Sequence, residues 1–236
     1  MTYQTLADGT VILPTGYDPA AETVKGWSRY WLGVDLAQAQ DFTALVCVHD
    51  ECLPTWGGGS RQVLGPRRRT IVFADKFRGV SYPDVVSHVI RIMLKDALRG
   101  RTRLVIDASG LGRVVSDLLT EQRVVHHAIQ MTVGQNWVKK GQYVNVGKML
   151  LLETLSLLFA TRDLTFAHDL PLREDILAEL ETFMLEQTAA GNQIITQGRS
   201  GAHHGDLAIA LAIAVFASEN LLPGFTGEAR IDGWFG

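Results

Sequence analysis

Cys47 and Cys52 are the only cysteines in the chain. Two are too few for a disulfide scaffold, which points to a reducing compartment. Even with His49 nearby they do not complete a four-ligand zinc set, and Cys47, inside an apolar run, reads as a buried thiol. A basic excess is also missing: 22 Lys and Arg stand against 25 Asp and Glu, a formal net charge of −3. Proteins that grip nucleic acid unaided draw most of their affinity from neutralising phosphates. Either nucleic acid is not the ligand, or the grip is local, metal-assisted or shared with a partner. Long apolar segments are absent too. The longest run, residues 207–217, has 11 residues, against about 20 for a bilayer span. The N-terminal residues carry no basic-then-apolar leader, so no membrane partner is expected. No G-x-x-x-x-G-K-[ST] phosphate loop occurs, since Gly147-Lys148 is followed by Met149. What remains is a chain 47% hydrophobic and 20% charged, ample for a folded core.

Residues 1–29 hold turn formers, Pro14 and Pro19 and little periodicity, and read as an arm or linker. Residues 30–35 (YWLGVD) and 42–48 (FTALVCV) read as a strand hairpin, followed by a Gly-rich loop over 51–69 and a third strand over 70–77. Pro83 opens a helix expected to run to residue 98, with apolar residues at helical spacing. A strand over 103–107, a helix over 110–120 and a strand over 124–132 follow. Strands alternating with helices predict an α/β fold with parallel members in its sheet. The second half predicts a polar, basic connection over 133–144, helices over 145–161 and 170–182, a hairpin over 183–197 and a last helix over 205–220. Residues 30–222 form the expected domain, and 223–236 an exposed tail.

Three aspartates stand out by position. Asp35 and Asp107 each end a strand, and Asp206 opens the last helix. Their separations of 72 and 99 residues exclude a local loop such as the 12-residue EF-hand. In a wound α/β sheet, strand ends gather at one edge, where ligands bind. Carboxylates brought together repel unless a cation sits among them, and hard ions such as Mg²⁺ or Mn²⁺ prefer such oxygens. Two ions suit in-line displacement at phosphorus. Each residue also has a plainer role open to it. Asp206 can serve the helix dipole, Asp107 can cap the turn before residues 110–113 (GLGR), and Asp41 can cap a turn or act as an auxiliary ligand.

The segments GVDLAQAQDFTAL, VIDASGLGRVVSDLL, NVGKMLLLETLSLL, LREDILAELETFMLEQ and HHGDLAIALAIAVF occur in that order between about residues 30 and 220. This ordered set resembles the nuclease domain of phage terminase large subunits, members of the RNase H-like superfamily. The resemblance implies a mixed central sheet flanked by helices. It implies Asp35, Asp107 and Asp206 as ligands of two Mg²⁺ or Mn²⁺ ions, and double-stranded DNA as the substrate, cut during genome packaging in the cytoplasm of a bacterial host. Partners implied are an ATPase motor, a portal and a small terminase subunit. Many members have consecutive aspartates in the last motif, whereas Gly205 precedes Asp206 here. His203 and His204 are auxiliary candidates, as contacts to phosphate or water or as plain loop residues. Arg67, Arg68, Arg69, Lys139, Lys140, Lys148 and Arg199 are the candidate DNA contacts.

Rival readings are a junction resolvase or transposase of the same superfamily, a non-catalytic packaging or interaction module of this fold, and a sugar-kinase-like phosphotransferase. The missing Gly-rich phosphate loops weigh against the last.

Overall fold

The computed structural model describes residues 2–16, 18, 20–36, 42–187, 193–197 and 205–221. In chain order the strands and helices are β1 (Gln4–Thr5), β2 (Thr10–Ile12), β3 (Lys25–Asp35), β4 (Thr43–Cys52), β5 (Pro54–Gly58), β6 (Arg61–Leu64), β7 (Arg68–Phe77), α1 (Tyr82–Met93), β8 (Thr102–Asp107) and α2 (Gly112–Glu121). There follow β9 (His126–Thr132), β10 (Trp137–Lys140), β11 (Tyr143–Gly147), α3 (Lys148–Ala160), β12 (Leu164–Phe166), α4 (Arg173–Glu181), β13 (Phe183–Gln187), β14 (Gln193–Gln197) and α5 (Asp206–Asn220).

Among the described residues, ten strands join one sheet whose main path runs β10-β11-β9-β8-β3-β4-β7-β12. The pairs β3·β4 and β4·β7 are antiparallel, while β3·β8, β8·β9 and β9·β11 are parallel. This is the expected mixed α/β sheet, and both faces are covered. Leu32 and Leu45 pack with Val85, Val89 and Val115 of α1 and α2 on one face. Trp31, Val46 and Val105 pack with α3, α4 and α5 on the other. Side chains alternate between faces along a strand, so each strand feeds both layers. Helix α5 is buried from Asp206 to Ser218, which explains why its sequence is apolar all round rather than striped. Gly33 of β3 lets it come close, because a Cβ there would overlap the Ala210 carbonyl of α5.

Several expected boundaries shift. The first 29 residues, read as an arm, contain β1 and β2. Strand β2 pairs with β3, and Val11 and Leu13 are buried. The expected loop over 51–69 is largely the β5–β6 hairpin followed by the start of β7. Its glycines masked the strand pattern. The connection over 133–144 carries β10, all four residues exposed, and the start of β11. Exposure on an edge strand removed the apolar alternation that marks a half-buried strand. Helix α3 accordingly begins at Lys148 rather than at 145, and α1 ends at Met93 rather than at 98.

Candidate active site

Strand parity and register decide which side chains meet. In the parallel pairing of β3 with β8, Val34 lies opposite Ile106. The next residues, Asp35 and Asp107, therefore leave the sheet from neighbouring strand ends. Both share parity with core residues of the α5 face, Trp31 on β3 and Val105 on β8. The N-terminus of α5 brings Asp206 to the same edge, its first helical residue following Gly205 at φ 75. Helix α2 closes the site from the other side. A Cβ at Gly112 would overlap the carbonyl oxygen of Asp107, so glycine is needed where that helix meets the strand end.

The three carboxylates stand in different surroundings. Asp35 is half-buried, and Asp107 and Asp206 are buried. Burial pushes the Asp35 carboxyl well above its usual range, and the charges of Asp107 and Asp206 push it further. Burial also raises Asp107, against the opposing hydrogen bonds from Ser109 and the charge of Lys148. Its Oδ1 accepts the Ser109 N–H at 2.8 Å. Lys148, first residue of α3, has its ammonium 5.1 Å from the Phe183 ring centre. Burial lowers its pKa, and the neighbouring Asp35 and Asp107 partly restore it. Two carboxylates that raise a third are a set that favours a cation, and carboxylate oxygens suit a hard divalent one. Among the described residues, no three His, Cys, Asp or Glu side chains stand close enough to form a ready metal cage.

Two residues that sequence reasoning missed complete the surroundings of Asp206. Lys76, near the end of β7, lies with Nζ 3.4 Å from Asp206 Oδ2 and donates to Glu179 Oε1 at 2.6 Å. Glu179, on α4 and fully buried, accepts the Ala208 N–H through Oε2 at 3.1 Å. It thereby satisfies one of the open donors at the start of α5. Burial works against the Lys76 charge, but Glu179 and Asp206 outweigh it and hold its pKa above the ordinary value. Glu179 lay inside a quoted motif, LREDILAELETFMLEQ, as an acidic residue of the helix expected over 170–182. A buried face would have singled it out only with the sheet in place.

The remaining candidates scatter. Arg67 binds Asp50 with Nε–Oδ1 at 2.7 Å, and also reaches Glu219 at 3.3 Å. Arg69 is buried, donates to Ser218 Oγ at 3.1 Å and pairs with Glu219. Arg68 is exposed at the start of β7. All three lie at the opposite end of the sheet from Asp35. Asp50, which pairs with Arg29, marks that level, and six residues of strand from Arg29 to Asp35 span about 20 Å. Lys139 and Lys140 are exposed on edge strand β10. Their register partners Val144 and Tyr143 connect through β9 to the level of Asp107, three strands and roughly 14 Å across. Lys148 lies close enough to Asp35 and Asp107 for its charge to interact with both. Asp41, Arg199, His203 and His204 lie outside the described residues.

No protein-family model matches the chain, and no curated protein matches it by sequence. Solved structures do match. The large terminase nuclease from thermophilic phage G20c with bound magnesium is 20% identical, with a TM-score of 0.54 over 92% of this chain and 90% of that one. The same nuclease with bound cobalt gives the same identity and TM-score. The large terminase nuclease domain of Thermus phage P74-26 is 20% identical, with a TM-score of 0.52 over 80% of each chain. The chain thus has the fold of phage large-terminase nuclease domains, an RNase H-like mixed sheet flanked by helices.

Proposed function

We propose that this chain is a metal-dependent endonuclease that cuts double-stranded DNA during viral genome packaging. Asp35, Asp107 and Asp206 would hold the divalent ions, Mg²⁺ or Mn²⁺, with two expected. The observation that carries this reading is the meeting of two strand ends and a helix N-terminus, where burial and then the charges of Asp107 and Asp206 raise the pKa of Asp35. The G20c nuclease that shares the fold was crystallised with magnesium and with cobalt, which supports a divalent ion here.

When bound, such ions activate the attacking water and stabilise the leaving 3′ oxygen. The chain's own residues do the rest. Asp35 and Asp107 are held on rigid strand ends, and Ser109 fixes the rotamer of Asp107 through its N–H. Lys148 offers a positive charge beside the same carboxylates for a DNA phosphate. Lys139 and Lys140 on the exposed β10 edge extend that positive track. Arg67 and Arg69 have protein partners and are left out of it. Water rather than a side chain would attack phosphorus, and with the 3′ oxygen as the leaving group the products would be a 5′-phosphate and a 3′-hydroxyl.

The net charge of −3 leaves little long-range pull on DNA. A motor ATPase domain or chain, with a portal and a small terminase subunit, would supply the grip in the host cytoplasm. Among the described residues, no helix is long and apolar enough to cross a membrane.

The test is cleavage of supercoiled plasmid with Mn²⁺, Mg²⁺ or EDTA, beside Asp107→Asn. The reading predicts nicking and linearisation with metal, abolished by EDTA and reduced at least about a hundredfold by the substitution. Equal cleavage by Asp107→Asn would refute the assigned site. A panel including four-way junctions separates the resolvase reading, which predicts junctions cut far faster than plain duplex.

A further inference from the structure

Lys76 is placed by an irregularity that sequence alternation conceals. Along β4·β7 the register shifts between Cys47 and Val48, which face Phe73 and Ile71. One residue of β7, Val72, is therefore extra, and it is exposed. Across this bulge, Ile71 and Ala74 both join the core on the α5 face, although they are three residues apart. Parity after the bulge puts Lys76 on that face too, while Asp75 turns to His88 of α1 at 2.9 Å. Were β7 regular, with Val72 taking an ordinary place in the alternation, the two would exchange sides, and an aspartate would point at the carboxylates. Bulges beside active sites commonly re-aim one side chain in this way.

Around the Lys76 ammonium stand Glu179 at 2.6 Å, Asp206 at 3.4 Å and the Phe42 ring, centred 4.8 Å away. Two carboxylates and an aromatic face make a cation pocket. Its walls are firm, since Glu179 is fully buried and also holds the Ala208 N–H. A Lys in that place does for Asp206 what a metal ion would do, and it is covalently tethered there.

We propose that Lys76 is the resident cation of the Asp206 half of the site. A divalent ion engages Asp206 only in competition with that ammonium, so the ion on Asp35 and Asp107 binds first and more tightly. This rests on the metal-centre reading above. Lys76 acts through Asp206 and is a positioning residue rather than a catalytic one. The arrangement makes the complete site the less populated state at low metal and ties completion of the site to displacement of one lysine.

The experiment is calorimetric titration of the whole chain with Mn²⁺, for wild type, Asp206→Asn and the paired variant Lys76→Met/Glu179→Gln. The pair removes both buried charges together and keeps an acceptor for the Ala208 N–H. Wild type should show a tight event and a weaker one, and Asp206→Asn should lose the weaker. The paired variant should tighten the weaker event by a few-fold up to about tenfold, because the ammonium competing at Asp206 is removed while the loss of the Glu179 charge cancels part of the gain. If wild type shows a single event, the pair should reveal a second. A weaker event unmoved or weakened in the pair, or a single event that stays single, overturns the role of Lys76. No binding by any of the proteins overturns the metal centre itself, a distinct failure. A second measurement needs no substitution: the Lys76 side-chain NMR signal, followed through a Mg²⁺ titration, should move with the weaker step. Movement with the tighter step, or none, overturns the proposal even if the paired variant does not fold.

Discussion

At the scale of single residues, the site is a balance of buried charges. The Asp35 pKa is raised by burial and then by Asp107 and Asp206. A carboxyl raised on folding adds stability that is complete below its unfolded value and is lost as pH rises through the folded value. Without added divalent ion, Asp35→Asn should therefore melt higher than wild type at pH 8, by a few degrees. About 2–4 °C corresponds to each kcal/mol for a domain this size. The gap should close toward pH 4. Thermal melts across that range check it, and a variant that melts lower at pH 8 would contradict it. With saturating Mn²⁺ the order should reverse, because only wild type gains the ion.

The opposite case is Asp50, fully buried at the far end of β4. Burial pushes its carboxyl up, but Arg67, Arg29 and Trp27 outweigh this and hold it below the ordinary range. Its oxygens accept from Arg29 Nε at 3.1 Å, Arg67 Nε at 2.7 Å and Trp31 Nε1 at 3.3 Å. A depressed carboxyl gives stability that is present above its unfolded value and lost as pH falls through the folded one. That window lies below about pH 4. Asp50→Asn strands two guanidiniums, so urea unfolding at pH 7 should show a loss of about 3–5 kcal/mol. Part of the acid sensitivity should go with it.

At the scale of elements, the functional edge depends on how closely α5 can lie on the sheet. Gly33 sits under the Ala210 carbonyl, two residues before Asp35. Gly33→Ala forces α5 outward, because the obstacle is backbone rather than a movable side chain. Overpacking of this kind costs about 1–3 kcal/mol. Since Asp206 opens the same helix, metal-dependent cleavage should fall further than stability does. A displacement near 1 Å can cost about a hundredfold. A variant that is destabilised yet fully active would break the link between the glycine and the site.

Elements also show where reading from the sequence succeeds and where it stops. Asp35, Asp107 and Asp206 could be singled out because each sits where a regular element begins or ends, and such ends are marked by local pattern. Lys76 could not, because the bulge at Val72 inverts the parity that an alternating strand would predict. Glu179 is burial without an apolar signature. Its partners come from β7 and α5, distant in sequence, and nothing local shows that a charged residue of α4 faces inward. The partners of Arg67 and Arg69 were hidden for the same reason: Asp50 and Glu219 reach them through the tertiary fold. The exposed strand β10 lacked alternation because it is solvated on the sheet edge.

At the scale of the whole molecule, the sheet separates two charge systems. One end carries Asp35, Asp107, Asp206, Lys76 and Lys148. The other carries Asp50 with Arg29 and Arg67, tied to Glu219 at the end of α5. Helix α5 joins them, with Asp206 at its start in one system and Ser218 and Glu219 at its end in the other. The far network fixes the C-terminal turn of the helix whose first residue serves the site. The parallel members of the sheet were foreseeable from alternating strands and helices, and its mixed character from the family resemblance. The pinning of α5 at both ends was not, because it depends on pairs more than a hundred residues apart, such as Arg67 with Glu219.

The central claim is that Asp35, Asp107 and Asp206 together hold divalent ions. Anomalous X-ray diffraction from crystals of the chain soaked in Mn²⁺ tests it most directly. The account predicts anomalous peaks bounded by the carboxylates of Asp35, Asp107 and Asp206, with the strongest on Asp35 and Asp107, and no such peaks in Asp35→Asn crystals. Strong Mn²⁺ peaks elsewhere, with none among these three, would contradict it.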